Sequence, residues 1–158
     1  MRKAIRLHPD AEVVFFLGDG LADIDEVALD FPEKMFYAVR GNCDFRSIAL
    51  GNPVKKTEEV FIEGRKIVLT HGDLYDAKYG TDGLCIMAVS RDADIVLFGH
   101  THTPYVNYFP LDDTDSPECD GGKPFYLFNP GSIGEGKYSF GVITLSEGSV
   151  LLSHGSFL

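Results

Sequence analysis

The run Asp94-Ile95-Val96-Leu97-Phe98, followed at once by Gly99-His100-Thr101-His102-Thr103-Pro104, limits what this chain can become more than any other stretch. A short, β-branched, apolar run closed by glycine reads as a strand buried on both faces. Two imidazoles then leave the end of a core strand one residue apart. In a turn, where the alternation of strand side chains lapses, both can aim into one cleft. Imidazole is the most common protein ligand for borderline metals. Taken alone, His-x-His is equally compatible with one histidine capping a turn and the other in solvent.

Three further segments share the pattern. Gly18-Asp19-Gly20 follows the apolar residues 13–17, Gly41-Asn42-Cys43-Asp44 follows 35–39, and Thr70-His71-Gly72-Asp73 follows 67–69. Successive strands thus deliver an Asp, an Asn, a His and then His-x-His. This is the order expected of an α/β sheet whose site lies at the carboxyl ends of its strands. On these four motifs the chain resembles the calcineurin-like metallophosphoesterases, and most closely their YfcE-like phosphodiesterase branch. The resemblance runs from about Asp10 to the end. It implies an α/β fold of two mixed β-sheets packed face to face with flanking helices.

Length and composition fit that picture. A chain of 158 residues is enough for one domain with a real core, taken here as 1–158. No apolar run approaches the ~18 residues that span a bilayer, and no signal-peptide pattern opens the chain. The cysteines Cys43, Cys85 and Cys119 are odd in number and far apart, so no disulfide framework is expected and a reducing cytoplasm is the default. A formal net charge of −10 argues against gripping nucleic acid by a basic face. It suits carboxylates that bound cations neutralise in part.

In chain order, residues 1–8 read as a helix end stopped by Pro9. Residues 21–29 read as an amphipathic helix, 51–53 as a loop, and 58–63 with 66–69 as a hairpin across Glu63-Gly64. Residues 81–91 form a helix with Leu84, Met87 and Ala88 on one face and Cys85 as a small buried hydrophobe. Residues 105–109 and 125–128 read as strands, and the acidic stretch 111–123 between them as an exposed loop. A last hairpin joins 140–145 to 150–154, with His154 in a structural or exposed place.

The resemblance also implies roles. Two divalent metals, manganese first and nickel, iron, zinc or magnesium as alternatives, would be bridged by Asp19. Asn42, His71 and His100 would complete one metal site, and His102 would serve the other. Such a clamp activates a water and holds the attacking and leaving oxygens in line. Many relatives place His after the motif's Asn to assist the leaving group. Here that catalytic position is Cys43, a poorer match for the task.

The family also opens on a strand ending in Asp-x-His, and no such segment precedes Asp19 in this sequence. Roughly 20 residues of pattern, about one strand and part of a helix, are expected to be missing. Asp44 and Asp73 are the nearest carboxylates that could take over the lost positions. One tightly bound metal is therefore expected, along with an open slot in the sheet that favours a homo-oligomer. The leading functional reading is a metal-dependent phosphodiesterase acting on a small phosphate ester, with no nucleic-acid or membrane partner. The runner-up is a catalytically impaired metal-binding or interaction protein of the same fold.

Overall fold

The computed structural model describes residues 1–111, 122–134, 136 and 138–157. The expected acidic loop at 111–123 falls almost wholly outside them. The chain runs α1 (Arg2–Leu7), β1 (Val13–Phe16), α2 (Leu21–Asp30), β2 (Met35–Ala38), β3 (Ile48–Ala49), β4 (Asn52–Pro53), β5 (Thr57–Ile62) and β6 (Arg65–Thr70). A 3-10 turn (Asp73–Tyr75), α3 (Asp82–Ser90), β7 (Ile95–Phe98), β8 (Pro104–Phe109), β9 (Phe125–Pro130), β10 (Ser139–Ser146) and β11 (Ser149–Ser156) follow. Every strand and helix read from the sequence is present, with ends shifted by a residue or two. The correction is at 51–53, read as loop, where Ile48 and Ala49 pair with Pro53 and Asn52 in a short ribbon.

The apolar run 95–98 is the middle strand of a five-stranded mixed sheet in the order β5-β6-β7-β9-β8. Strand periodicity sorts its side chains to two faces. Val68, Val96, Phe98 and Leu127 pack with Leu84, Met87 and Ala88 of α3. On the opposite face, Ile67, Leu69, Ile95, Leu97 and Phe128 meet Phe15 and Leu17, Tyr37 and Val39, and Ile143, Leu145, Val150 and Leu152 of the last hairpin. Adjacent residues thus serve different cores, which is why these strands read as continuous apolar runs.

The second layer consists of two ribbons. β1 and β2 pair in parallel, β10 and β11 in antiparallel, and the two pairs belong to separate sheets. The outer faces of β1 and β2 are covered by Val27 of α2 and Phe31 just after it, with Ile5 of α1, and by Leu21 and Ile24 of α2. The sequence of layers is helix, sheet, split sheet, helices. The mixed α/β architecture expected above is therefore present.

Cys85 is 1% exposed, as expected of a small buried side chain, but it is disulfide-bonded, while Cys43 is free. The expectation of no disulfide is corrected here, and with it goes the cysteine argument for a reducing compartment. Among the described residues no helix is long and apolar enough to cross a membrane.

Candidate metal centre

The strands β1, β2, β6 and β7 all stop at one end of the two layers, and their C-terminal turns face each other. Tight backbone bonds lock them. The Gly99 N–H donates to the His71 carbonyl at 3.0 Å, and His71 Nδ1 lies 2.7 Å from the Leu17 carbonyl. That contact places the His71 proton on Nδ1 and leaves the Nε2 lone pair bare. His71 is 2% exposed, so this lone pair points into the protein.

Three other donor atoms surround it. Asn42 Oδ1 is 3.1 Å from His71 Nε2, His100 Nδ1 is 3.1 Å, and Asp19 Oδ2 is 3.3 Å. The Asn42 amide nitrogen reaches Cys43 Sγ at 3.3 Å, which turns its oxygen toward His71. Lone pairs facing lone pairs repel unless a cation stands between them. Donors about 2.1 Å from one ion, at roughly 90–109° to each other, sit about 3.0–3.4 Å apart. The observed separations match, so these residues fit a single divalent ion of borderline type. Asp19, His71 and His100 also form a group whose ligand atoms all lie within 4.8 Å of one another.

The backbone holds these residues under strain. Asp19, His100 and His102 have φ values of 59°, 66° and 55°. For residues bearing a Cβ this left-handed region costs about 1–2 kcal/mol each, and such strain gathers at functional sites. His102 is half-buried and stands outside the group formed by Asp19, His71 and His100. The His100 imidazole is held below the ordinary histidine pKa by burial first, then by the charges of Lys78 and His71, so it stays neutral and ligand-ready to lower pH.

Cys43 is exposed, and its backbone N–H donates to Asp19 Oδ1 at 2.8 Å. The Asp19 charge, then burial, pushes its thiol pKa up, so it faces the centre as a neutral thiol.

Asp44 is not available as a metal ligand here, and Asp73 lies outside the group formed by Asp19, His71 and His100. Asp44 accepts four backbone N–H bonds: from Asp19 at 2.8 Å, Gly20 at 2.8 Å, Leu21 at 2.9 Å and Gly41 at 2.9 Å. It is the brace of the strained Asp19 turn. Asp73 binds Lys56 Nζ at 2.5 Å through Oδ2, and its Oδ1 is buried without a hydrogen bond among the described residues. A second brace is Asn129, fully buried on β9, whose amide nitrogen reaches the Gly99 carbonyl at 2.8 Å and Thr101 Oγ1 at 3.0 Å. It fixes the turn that carries His100. In the sequence Asp44 stood as a candidate replacement ligand, and nothing marked Asn129 for this role.

Asp44 has a pH consequence. Burial pushes its pKa up, but the N–H donors outweigh this and hold it below the ordinary carboxylate value. A carboxylate lowered on folding contributes stability above its unfolded pKa and loses it as pH falls through the lowered folded value. Asp44→Ala should therefore flatten the acid limb of a pH–melting-temperature curve. It should also weaken metal binding by about 10–100-fold without removing a ligand.

Residues 1–148 match the model of the calcineurin-like phosphoesterase superfamily domain. The chain belongs to this superfamily. Within it, "Probable metallophosphoesterase YsnB" of Bacillus subtilis is 30% identical over 131 residues, which span 82% of this chain and 64% of that protein. Among solved structures, a conserved predicted phosphoesterase from Streptococcus pneumoniae aligns with a TM-score of 0.71 at 21% identity, over 98% of this phosphoesterase-family chain and 80% of that one. A novel archaeal phosphodiesterase aligns with a TM-score of 0.64 at 22% identity, over 97% of this chain and 90% of that one. The fold is shared with both.

Proposed function

We propose that the chain is a metal-dependent phosphodiesterase of this superfamily, working at one divalent-metal centre held by Asp19, Asn42, His71 and His100. The observation that supports it is the bare Nε2 of His71, ringed by Asn42 Oδ1, His100 Nδ1 and Asp19 Oδ2 at ion-ligand spacing. Mixed nitrogen and oxygen donors favour manganese, with iron, nickel, zinc and magnesium as alternatives. A bound divalent ion would supply Lewis acidity, activating a water and drawing charge from the phosphoryl oxygens.

The protein's own part is positional. The Leu17 carbonyl keeps the His71 proton off the nitrogen that faces the ion. Asp44 and Asn129 hold the turns that present Asp19 and His100. The Cys43 thiol keeps its proton at neutral pH and stands beside Asp19, where a leaving oxygen could take a hydrogen bond from it.

A second reading, metal binding or partner binding without turnover, is favoured by one observation. Among the described residues only one cluster of three or more ligand side chains exists, and His102 is not in it. The test is to strip the protein with chelator, restore manganese, and follow hydrolysis of an aryl phosphodiester. Hydrolysis that disappears and returns with the metal supports the first reading. Tight manganese binding with no hydrolysis supports the second, and no metal binding contradicts both.

We also propose that the substrate is a small phosphate ester and that the chain self-associates. Among the described residues β1 pairs with β2 alone and β10 with β11 alone, so each ribbon offers an unpaired edge. Sedimentation would read the oligomeric state, and a monomer at all concentrations would contradict it.

A further inference from the structure

The two edges of the five-stranded sheet are not alike. β5, on one side, carries Glu58 paired with Lys55, and Glu59 paired with Lys66 and Arg91. Charges of this kind keep an edge strand from pairing with another chain. β8, on the other side, reads Pro104-Tyr105-Val106-Asn107-Tyr108-Phe109 and holds no charge. Among the described residues it pairs with β9 alone, and β9 is also uncharged. Lys123, just before β9, is tied to Asp92 and Asp94.

The side chains of β8 divide between its two faces. Tyr105 meets Phe98 edge-on at 5.9 Å, and Phe109 stacks on Phe125 at 5.0 Å, so both belong to the core beneath α3. Val106 and Tyr108 lie on the opposite face, where they pair across the ladder with Phe128 and Tyr126. Each of the two is still 48% exposed, and the Tyr108 ring lies 4.8 Å from that of Tyr126. β8 therefore offers a free line of backbone hydrogen-bonding groups together with a half-covered apolar strip.

We propose that β8 is the surface through which two copies of this chain pair, edge to edge and antiparallel, into a two-fold dimer. The inference rests on the self-association proposed above and names its surface. Charge selects a second copy as the occupant. With a net charge of −10, two chains repel wherever their acidic surfaces meet, whereas an uncharged strand lets them approach. A two-fold axis at Asn107 sets Val106 of one copy against Tyr108 of the other, and Tyr105 against Phe109. Every opposed pair is then apolar or aromatic, apart from the two asparagines on the axis. Main-chain bonds supply the affinity in strand addition of this kind, and alternate side chains supply the fit. The ribbon edges are poorer candidates. β1 and β2 are four residues long, and β10 and β11 carry Gly141 and Gly155, which weaken a strand.

The test is sedimentation equilibrium of the full chain, wild type against a Val106→Lys, Tyr108→Lys double variant. Wild type should dimerise. The variant should raise the dimer Kd by about a hundredfold or more, because like charges then face one another across the strand pair. Both positions are half-exposed, so circular dichroism should show the fold intact. Phe61→Lys, at an exposed position on β5, should leave the Kd unchanged. A second measurement introduces no charge. In a Cys43→Ser background, Asn107→Cys should give covalent dimers with a short bismaleimide and Phe61→Cys should not, since Cys85 is disulfide-bonded and does not react. A dimer that survives both lysines, or that fails to cross-link at position 107, overturns the β8 assignment while self-association stands. A wild type that stays monomeric at all concentrations overturns both.

Discussion

His100→Ala should reduce metal-dependent hydrolysis by about 10³-fold, because it removes a charge-stabilising ligand from the reacting centre. The imidazole supplies the Nδ1 that stands 3.1 Å from His71 Nε2, and alanine removes that ligand atom. Manganese retained after gel filtration should fall in parallel, as read by elemental analysis. His154→Ala is the matched control. That ring stacks on Phe128 at 4.7 Å, and its Nε2 donates to the Asn129 carbonyl at 2.7 Å, so its loss should cost about 1 kcal/mol of stability and spare the metal. Equal, mild losses in the two variants would mean that the centre is elsewhere.

Gly41→Ala should be nearly as damaging, although Gly41 carries no side-chain ligand. A methyl group there would lie 2.0 Å from Asp19 Oδ1 and 2.6 Å from the Asp19 backbone nitrogen. The turn cannot yield easily, since Gly18 on the other side already stands against Gly41 and His71, and Asp44 ties Gly41 to Asp19. Asp19 must therefore leave its place. We expect a stability loss of about 1–3 kcal/mol from overpacking, with metal affinity lowered by at least 10–100-fold. Gly80→Ala, where a methyl group meets nothing within 4 Å, should change neither. Calorimetric manganese titration and thermal melts check both, and a Gly41→Ala protein that binds manganese normally would show that Asp19 is not a ligand.

Much of this was legible in the residues. Apolar runs closed by Gly-Asp, Gly-Asn, Thr-His and Gly-His announced four strand ends, and sheet geometry brought those ends together. The coordination-like spacing was not legible, because it depends on which ring nitrogen of His71 the Leu17 carbonyl claims. The role of Asp44 was hidden for a similar reason. A carboxylate two residues after Asn42 looks like a ligand in sequence, and only the fold reveals four backbone N–H groups converging on it. The short β3–β4 ribbon escaped because two paired residues on each side leave no periodicity to read. The disulfide at Cys85 escaped because spacing alone carries no pairing information.

Asp19, Asn42, His71 and His100 are expected to hold one metal per chain, and anomalous diffraction from manganese-soaked crystals would show it. The expected result is one strong anomalous peak per chain, about 2.0–2.3 Å from Asp19 Oδ2, Asn42 Oδ1, His71 Nε2 and His100 Nδ1. A peak away from these atoms, or a second one of equal occupancy with all its ligands from the same chain, would contradict it.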